Sequence, residues 1–330
     1  MGRVTLLAAA LAAAMAASSA LAETVRVGLG YLPDVQFAPF YAADKAGFYK
    51  KRGLDVQFQH GFTGELYPLL ASGRLDFVVA DAEDAILYRA KDEKGAAFKY
   101  VLAMYQQVPS ALFSLASKGI TKPADLRGKV IGMPALSGVS YTALQSILRA
   151  AGLRESDVKI QQIGFTQVEA VLSGRVDVAM GFVNNEPVVL ANRPEPVKLN
   201  VIRAGPFTAS AGNGVITTDK VLENADLVRR FLAATQEALA FTAANPRQAF
   251  EHSRAFVPNL TEERYKVLLA STPLYQSPYS RQNGIGFSNP SGWQRTLSLL
   301  TEVGRVKTNL PATAFYTNAF LAKGVQPDKR

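Results

Sequence analysis

The chain has 330 residues, 48% hydrophobic and 19% charged, which is enough to bury one large or two medium cores and too apolar for disorder away from its ends. It contains no cysteine, which excludes disulfides, thiol catalysis, cysteine-ligated metal and a lipidated cysteine near the N-terminus. The net charge is +9, but the basic residues are scattered (Lys50, Lys51 and Arg52; Arg229 and Arg230; Arg305 and Lys307), so they read as solvated helix faces and not as a nucleic-acid or membrane patch.

At the N-terminus Arg3 precedes an apolar, alanine-rich run from Val4 to Ala17, and small residues follow to Ala20, Leu21 and Ala22. This is the layout of a secretory signal peptide over residues 1–22, cut after Ala22, and it predicts a periplasmic protein. The run falls short of the roughly 20 strongly apolar residues that span a bilayer.

The next elements alternate. VRVGLG at 25–30 predicts a strand, FAPFYAADKAGFYKKRG a helix from about 38 to 50, LDVQFQ a strand near 54–59, and a helix near 65–72 leads to a strand at 75–80. A helix around 84–93 follows, then ALFSLA at 111–116 as a connecting strand, and GITKPADL as a turn with a short capped helix. The plan then repeats: KVIGMP at 129–134, the helical SYTALQSILRAAG, and VKIQQI as a strand. Ser72-Gly73-Arg74-Leu75-Asp76 recurs as Ser173-Gly174-Arg175-Val176-Asp177, each copy opening an apolar run. Two similar α/β lobes with a cleft between them are expected: the first spans 23–115 plus 206–330 and the second 116–205, with VIRAGPFTASAGNG as the return crossing. Two crossings make a hinge. Beyond 219 the sequence predicts helices at 225–244 (capped by Asp219 or Asn224), 261–271 and 293–303, packed on the first lobe, with Trp293 as a core residue.

No catalytic set assembles. His60 and His252, the two histidines, lack metal-ligand spacing and read as structural or surface residues. There is no nucleophile elbow, phosphate loop or three-glycine dinucleotide motif, and neither a metal nor a cofactor is expected. A binding site fares better, because ligands of open α/β sheets sit beyond the carboxyl ends of strands. Those ends supply Tyr31, Asp34, Gln36 and Phe37, then Asp81, Glu83 and Asp84, then Ser137, Ser140 and Tyr141, and lastly Asn184, Asn185 and Glu186. Each has a structural alternative. Asp81, Asp84, Ser137 and Ser140 also suit helix caps; Tyr31 and Phe37 also suit a core; and the amides before Pro187 also suit a turn.

GYLPDVQFAPFYAADKAGFYKKRGLDVQF, with the later LASGRLDF, KPADLRGKVIGMP and GFVNNEPV, resembles the NMT1/THI5-like substrate-binding proteins over residues 24 to about 305. The resemblance implies a type II periplasmic binding fold, two lobes closing as a monomer on a small solute and delivering it to the permease of an ABC importer. Members with QFAPFY and NNEP carry the pyrimidine precursor of thiamine or riboflavin, whereas others carry sulfonates, taurine or nitrate. The loops named above offer Asp34, Asp81, Glu83, Asp84 and Glu186 and no arginine or lysine, which suits an aminopyrimidine stacked on Tyr31, Phe37 or Tyr105 better than an anion. Riboflavin is the alternative, its amide-like edge meeting Asn184 and Asn185. The group also includes a pyrimidine-synthesising enzyme with a cysteine-rich iron motif, which a chain without cysteine lacks.

Overall fold

The computed structural model describes residues 22–91, 97–136, 138–208 and 212–327, so the expected signal peptide up to Leu21 lies outside the described residues. Two five-stranded sheets organise the chain. The first contains β1 (Glu23–Leu29), β2 (Leu54–His60), β3 (Phe77–Asp81), β4 (Phe98–Ala103) and β10 (Asn213–Thr218), in the order β2-β1-β3-β10-β4. The second contains β5 (Ser110–Leu115), β6 (Val130–Met133), β7 (Lys159–Gln162), β8 (Val178–Phe182) and β9 (Leu199–Arg203), in the order β7-β6-β8-β5-β9. In each sheet four strands point the same way, as crossover helices require, and one antiparallel strand arrives from the other sheet: β10 between β3 and β4, and β5 between β8 and β9.

This corrects the expected lobe boundary after residue 115. ALFSLA bonds to β8 and β9 of the second sheet, so the first crossing lies ahead of Ser110. Strand propensity identifies the strand, but only its partners decide the sheet.

The repeated pentapeptide has a structural cause. Helix α1 covers Ala38–Lys45, and α2 (Thr63–Ala71) ends at Gly73 with φ 73°, a left-handed turn that Gly174 repeats with φ 71°. The aspartate that follows clamps the lobe's first strand: Arg26 N–H donates to Asp76 at 2.8 Å, and Val130 N–H donates to Asp177 at 3.0 Å. Each aspartate thereby fixes the register between two parallel strands, β1 with β3 and β6 with β8.

The remaining helices are α3 (Ala82–Lys91), α4 (Gly138–Ala150), α5 (Gln167–Leu172), α6 (Glu186–Ala191), α7 (Asp219–Leu222), α8 (Ala225–Ala244), α9 (Pro246–Ser253), α10 (Glu262–Ser271), α11 (Pro278–Asn283) and α12 (Pro290–Glu302). Helix α1 is shorter than expected because the chain turns at Gly47, where Phe48 N–H reaches back to Ala43 O at 2.8 Å. Asn224 caps α8, accepting from Leu227 N–H at 3.2 Å. Phe231 on α8 stacks on Tyr49 and Phe77, which fastens the C-terminal helices to the first sheet. Burying such a ring contributes about 1.5–3 kcal/mol. Trp293, 2% exposed, stacks on Tyr316 as a core residue.

Candidate functional site

The carboxyl ends of β1, β3, β6 and β8 face one another across a cavity of about 270 Å³ between the sheets. Eight of the expected residues line it: Tyr31, Asp34, Gln36, Asp81, Ser140, Asn184, Asn185 and Glu186. Ser137 lies outside the described residues.

Five others do not line it, among them Glu83, which is fully buried at the start of α3. Phe37 packs into the core, edge-on to Tyr41 and His60. Tyr105 is buried against Tyr275, with ring centroids 5.8 Å apart. Tyr141 turns outward on α4 and donates to Glu155 at 2.8 Å. Asp84 lies buried in the first turn of α3, where burial, and then the charges of Asp81 and Glu83, push its carboxyl up against the opposing pull of Arg305. Position after a strand end brings a side chain near the cleft; the helical turn that follows decides whether it faces in.

The structure adds residues that strand ends do not reveal. Phe62 and Phe165 meet from opposite lobes with near-parallel rings 6.0 Å apart, and Tyr31 packs edge-on to Phe165 at 5.2 Å. Both phenylalanines are exposed, at 46% and 55%, so an aromatic wall stands at the mouth of the cavity. A sequence signal for them exists: Gly61-Phe62-Thr63 and Gly164-Phe165-Thr166 are the same tripeptide, each ahead of its copy of the pentapeptide. Gln167 and Asn213 complete the polar lining.

The strand-end loops carry no arginine themselves, but α10 brings Arg264 against two of their residues. Its guanidinium binds both carboxylate oxygens of Asp34, with Nε to Oδ1 at 3.0 Å, and Nη1 donates to Asn185 Oδ1 at 2.8 Å. Asp34 and Arg264 are 230 positions apart, so no local pattern announces the pair. Asp34 is therefore neutralised, and the same arginine ties the first lobe to Asn185 of the second. Asn184 makes a parallel link, its Nδ2 donating to Ser271 Oγ at 2.7 Å.

Two acids remain. Burial pushes Asp81 up to about 7. Glu186 is raised by burial too, against the opposing Phe182 N–H, which donates to its Oε2 at 2.8 Å. Gly181 makes room for that carboxylate, since a Cβ there would lie 2.5 Å from Glu186 Oε2. His60 is structural, bonding Tyr31 O through Nδ1 and Tyr41 Oη through Nε2. Asp81 Oδ1, Asn184 Oδ1 and Asn213 Oδ1 are buried acceptors without a hydrogen-bond partner in the chain. Among the described residues no cluster of acids and histidines could hold a metal ion.

Residues 34–249 match the family described as NMT1/THI5 like. The chain belongs to that family. It is similar to the riboflavin-binding protein RibY of Chloroflexus aurantiacus, with 33% identity over 92% of this chain and 87% of the relative. It is also similar to the formylaminopyrimidine-binding protein of Halalkalibacterium halodurans, with 24% identity over 82% and 84%. Its fold matches the aliphatic sulphonate binding protein SsuA of Escherichia coli, with TM-score 0.71 and 18% identity over 90% of this chain and 99% of that one. The bilobed fold is the type II periplasmic binding fold, and the chain is an extracytoplasmic solute-binding component of an ABC importer.

Proposed function

We propose that this NMT1/THI5-like receptor captures riboflavin and presents it to its membrane permease, after export and removal of residues 1–22. The observation that carries this reading is the pairing of an aromatic wall built by both lobes with a floor of unsatisfied acceptors. A flavin's fused rings offer the area to cover Tyr31, Phe62 and Phe165, and its ring N–H and ribityl hydroxyls are donors for Asp81, Asn184 and Asn213. The relative of 33% identity, named for riboflavin binding, supports the same ligand. A sulfonate or nitrate brings acceptors only, and would meet Asp81 and Glu186 while the nearby guanidinium of Arg264 is committed to Asp34.

An aminopyrimidine is the second reading. Its amine suits the same acceptors, and the formylaminopyrimidine-binding relative supports it, but a single ring leaves much of the aromatic wall uncovered. Thermal shift with riboflavin, a hydroxymethyl aminopyrimidine and taurine separates these readings, because only a ligand of the folded state raises the melting temperature. Riboflavin should raise it and lose fluorescence on binding, and Phe165→Ala should weaken that binding about three- to tenfold. A shift with the pyrimidine alone would transfer the site to the second reading. A shift with taurine alone would overturn both.

A further inference from the structure

A second cavity, of about 530 Å³, lies at the hinge, walled by both crossings between the sheets and by the start of α12. Its chemistry is opposite to that of the cleft. No aspartate or glutamate lines it among the described residues, whereas Arg203 at the end of β9 and Arg295 on α12 both do. Among the described residues neither arginine has an ion pair, and Arg295 Nη1 donates to Ser291 Oγ at 3.1 Å. Ser110, 1% exposed, lines the cavity with a hydroxyl that has no partner. Gln106 presents a donor too: its Oε1 accepts from Ser277 Oγ at 3.0 Å, which leaves its buried Nε2 without a partner. The N-terminus of the 13-residue α12, at Asn289, adds the positive end of a helix dipole.

We propose that this hinge cavity is a second ligand site, for a small molecule bearing a phosphate or carboxylate group, distinct from the solute cleft. Two guanidinium groups, a hydroxyl, an amide N–H and a helix N-terminus are all donors, and an oxyanion is the group that satisfies them together. Arg203 belongs to the second lobe and Arg295 to the first, so an anion gripped by both favours one disposition of the lobes. Occupancy of the hinge and of the cleft is then coupled, and the coupling is reciprocal.

Calorimetric titration of the solute-free protein with inorganic phosphate, and separately with succinate, at constant ionic strength tests this. One saturable site is expected, with affinity falling about tenfold or more in Arg203→Gln and in Arg295→Gln. Binding of phosphate alone assigns a phosphate ligand, and binding of succinate alone a carboxylate. Ser110→Ala, a small change at a buried position, should weaken the same titration, and unchanged unfolding temperatures in all three variants separate lost binding from lost folding. Absence of saturation by either anion to about 10 mM, or wild-type affinity in both arginine variants, would overturn the proposal. The titration needs no flavin, so failure of the riboflavin reading and failure of this one remain distinguishable.

Discussion

Asp81 shows how one side chain links the site to stability. Its carboxyl is held up to about 7 by burial, from an ordinary value of 3.8, so between those values the folded state binds the proton that the unfolded state has lost. Its contribution is fully present below pH 3.8 and is lost as pH rises through about 7. Asp81→Asn should flatten that decline, measured as a smaller drop in urea midpoint between about pH 5 and about pH 7.5. An undiminished drop would assign the decline to Asp84 or Glu186, which burial also raises. Asp81 was readable beforehand as the polar residue at a strand's carboxyl end. Phe37 was misread on the same rule, because the short helical turn after Asp34 carries it under the cleft and into the core. Arg264 gave no warning, since it sits in the first turn of α10, away from any strand end, and acquires its role only through contact with Asp34 and Asn185.

Among the elements, β8 and α6 form the working edge of the second lobe. Gly181 lets the Glu186 carboxylate fold back against the strand, and a methyl group at this position would also meet Phe113 at 2.9 Å. Gly181→Ala should cost about 1–3 kcal/mol by overpacking, read as a lower urea midpoint, and should weaken solute binding as Glu186 is displaced. A wild-type midpoint would mean that the carboxylate has room to move. Helices with caps and long apolar faces were the most legible elements: α8 starts after Asn224 and ends before Pro246, as its sequence implies. α12 begins three residues earlier than Trp293 because Asn289 caps it and Pro290 suits its first turn. β5 was recognisable as a strand but not as a member of the second sheet, since its six residues carry no record of their partners.

For the whole molecule, Arg264 and Asn184 bridge the lobes while Phe62 and Phe165 meet at the mouth. Arg264→Ala removes one bridge and leaves Asp34 an uncompensated, partly buried charge. The solute-free variant should scatter X-rays with a larger radius of gyration than the wild type, and saturating riboflavin should restore the compact value. Equal radii without solute would show that the bridge does not hold the lobes together. By itself the sequence determined the doubled strand-and-helix plan, the signals that end each helix, and the acids and amides at strand ends, because periodicity, caps and turns act over a few residues. The tertiary structure alone decided which lobe β5 joins, that Arg264 neutralises Asp34, and that the two Gly-Phe-Thr loops face each other. These depend on segments many tens to more than two hundred positions apart meeting in space, and no local pattern encodes such a meeting.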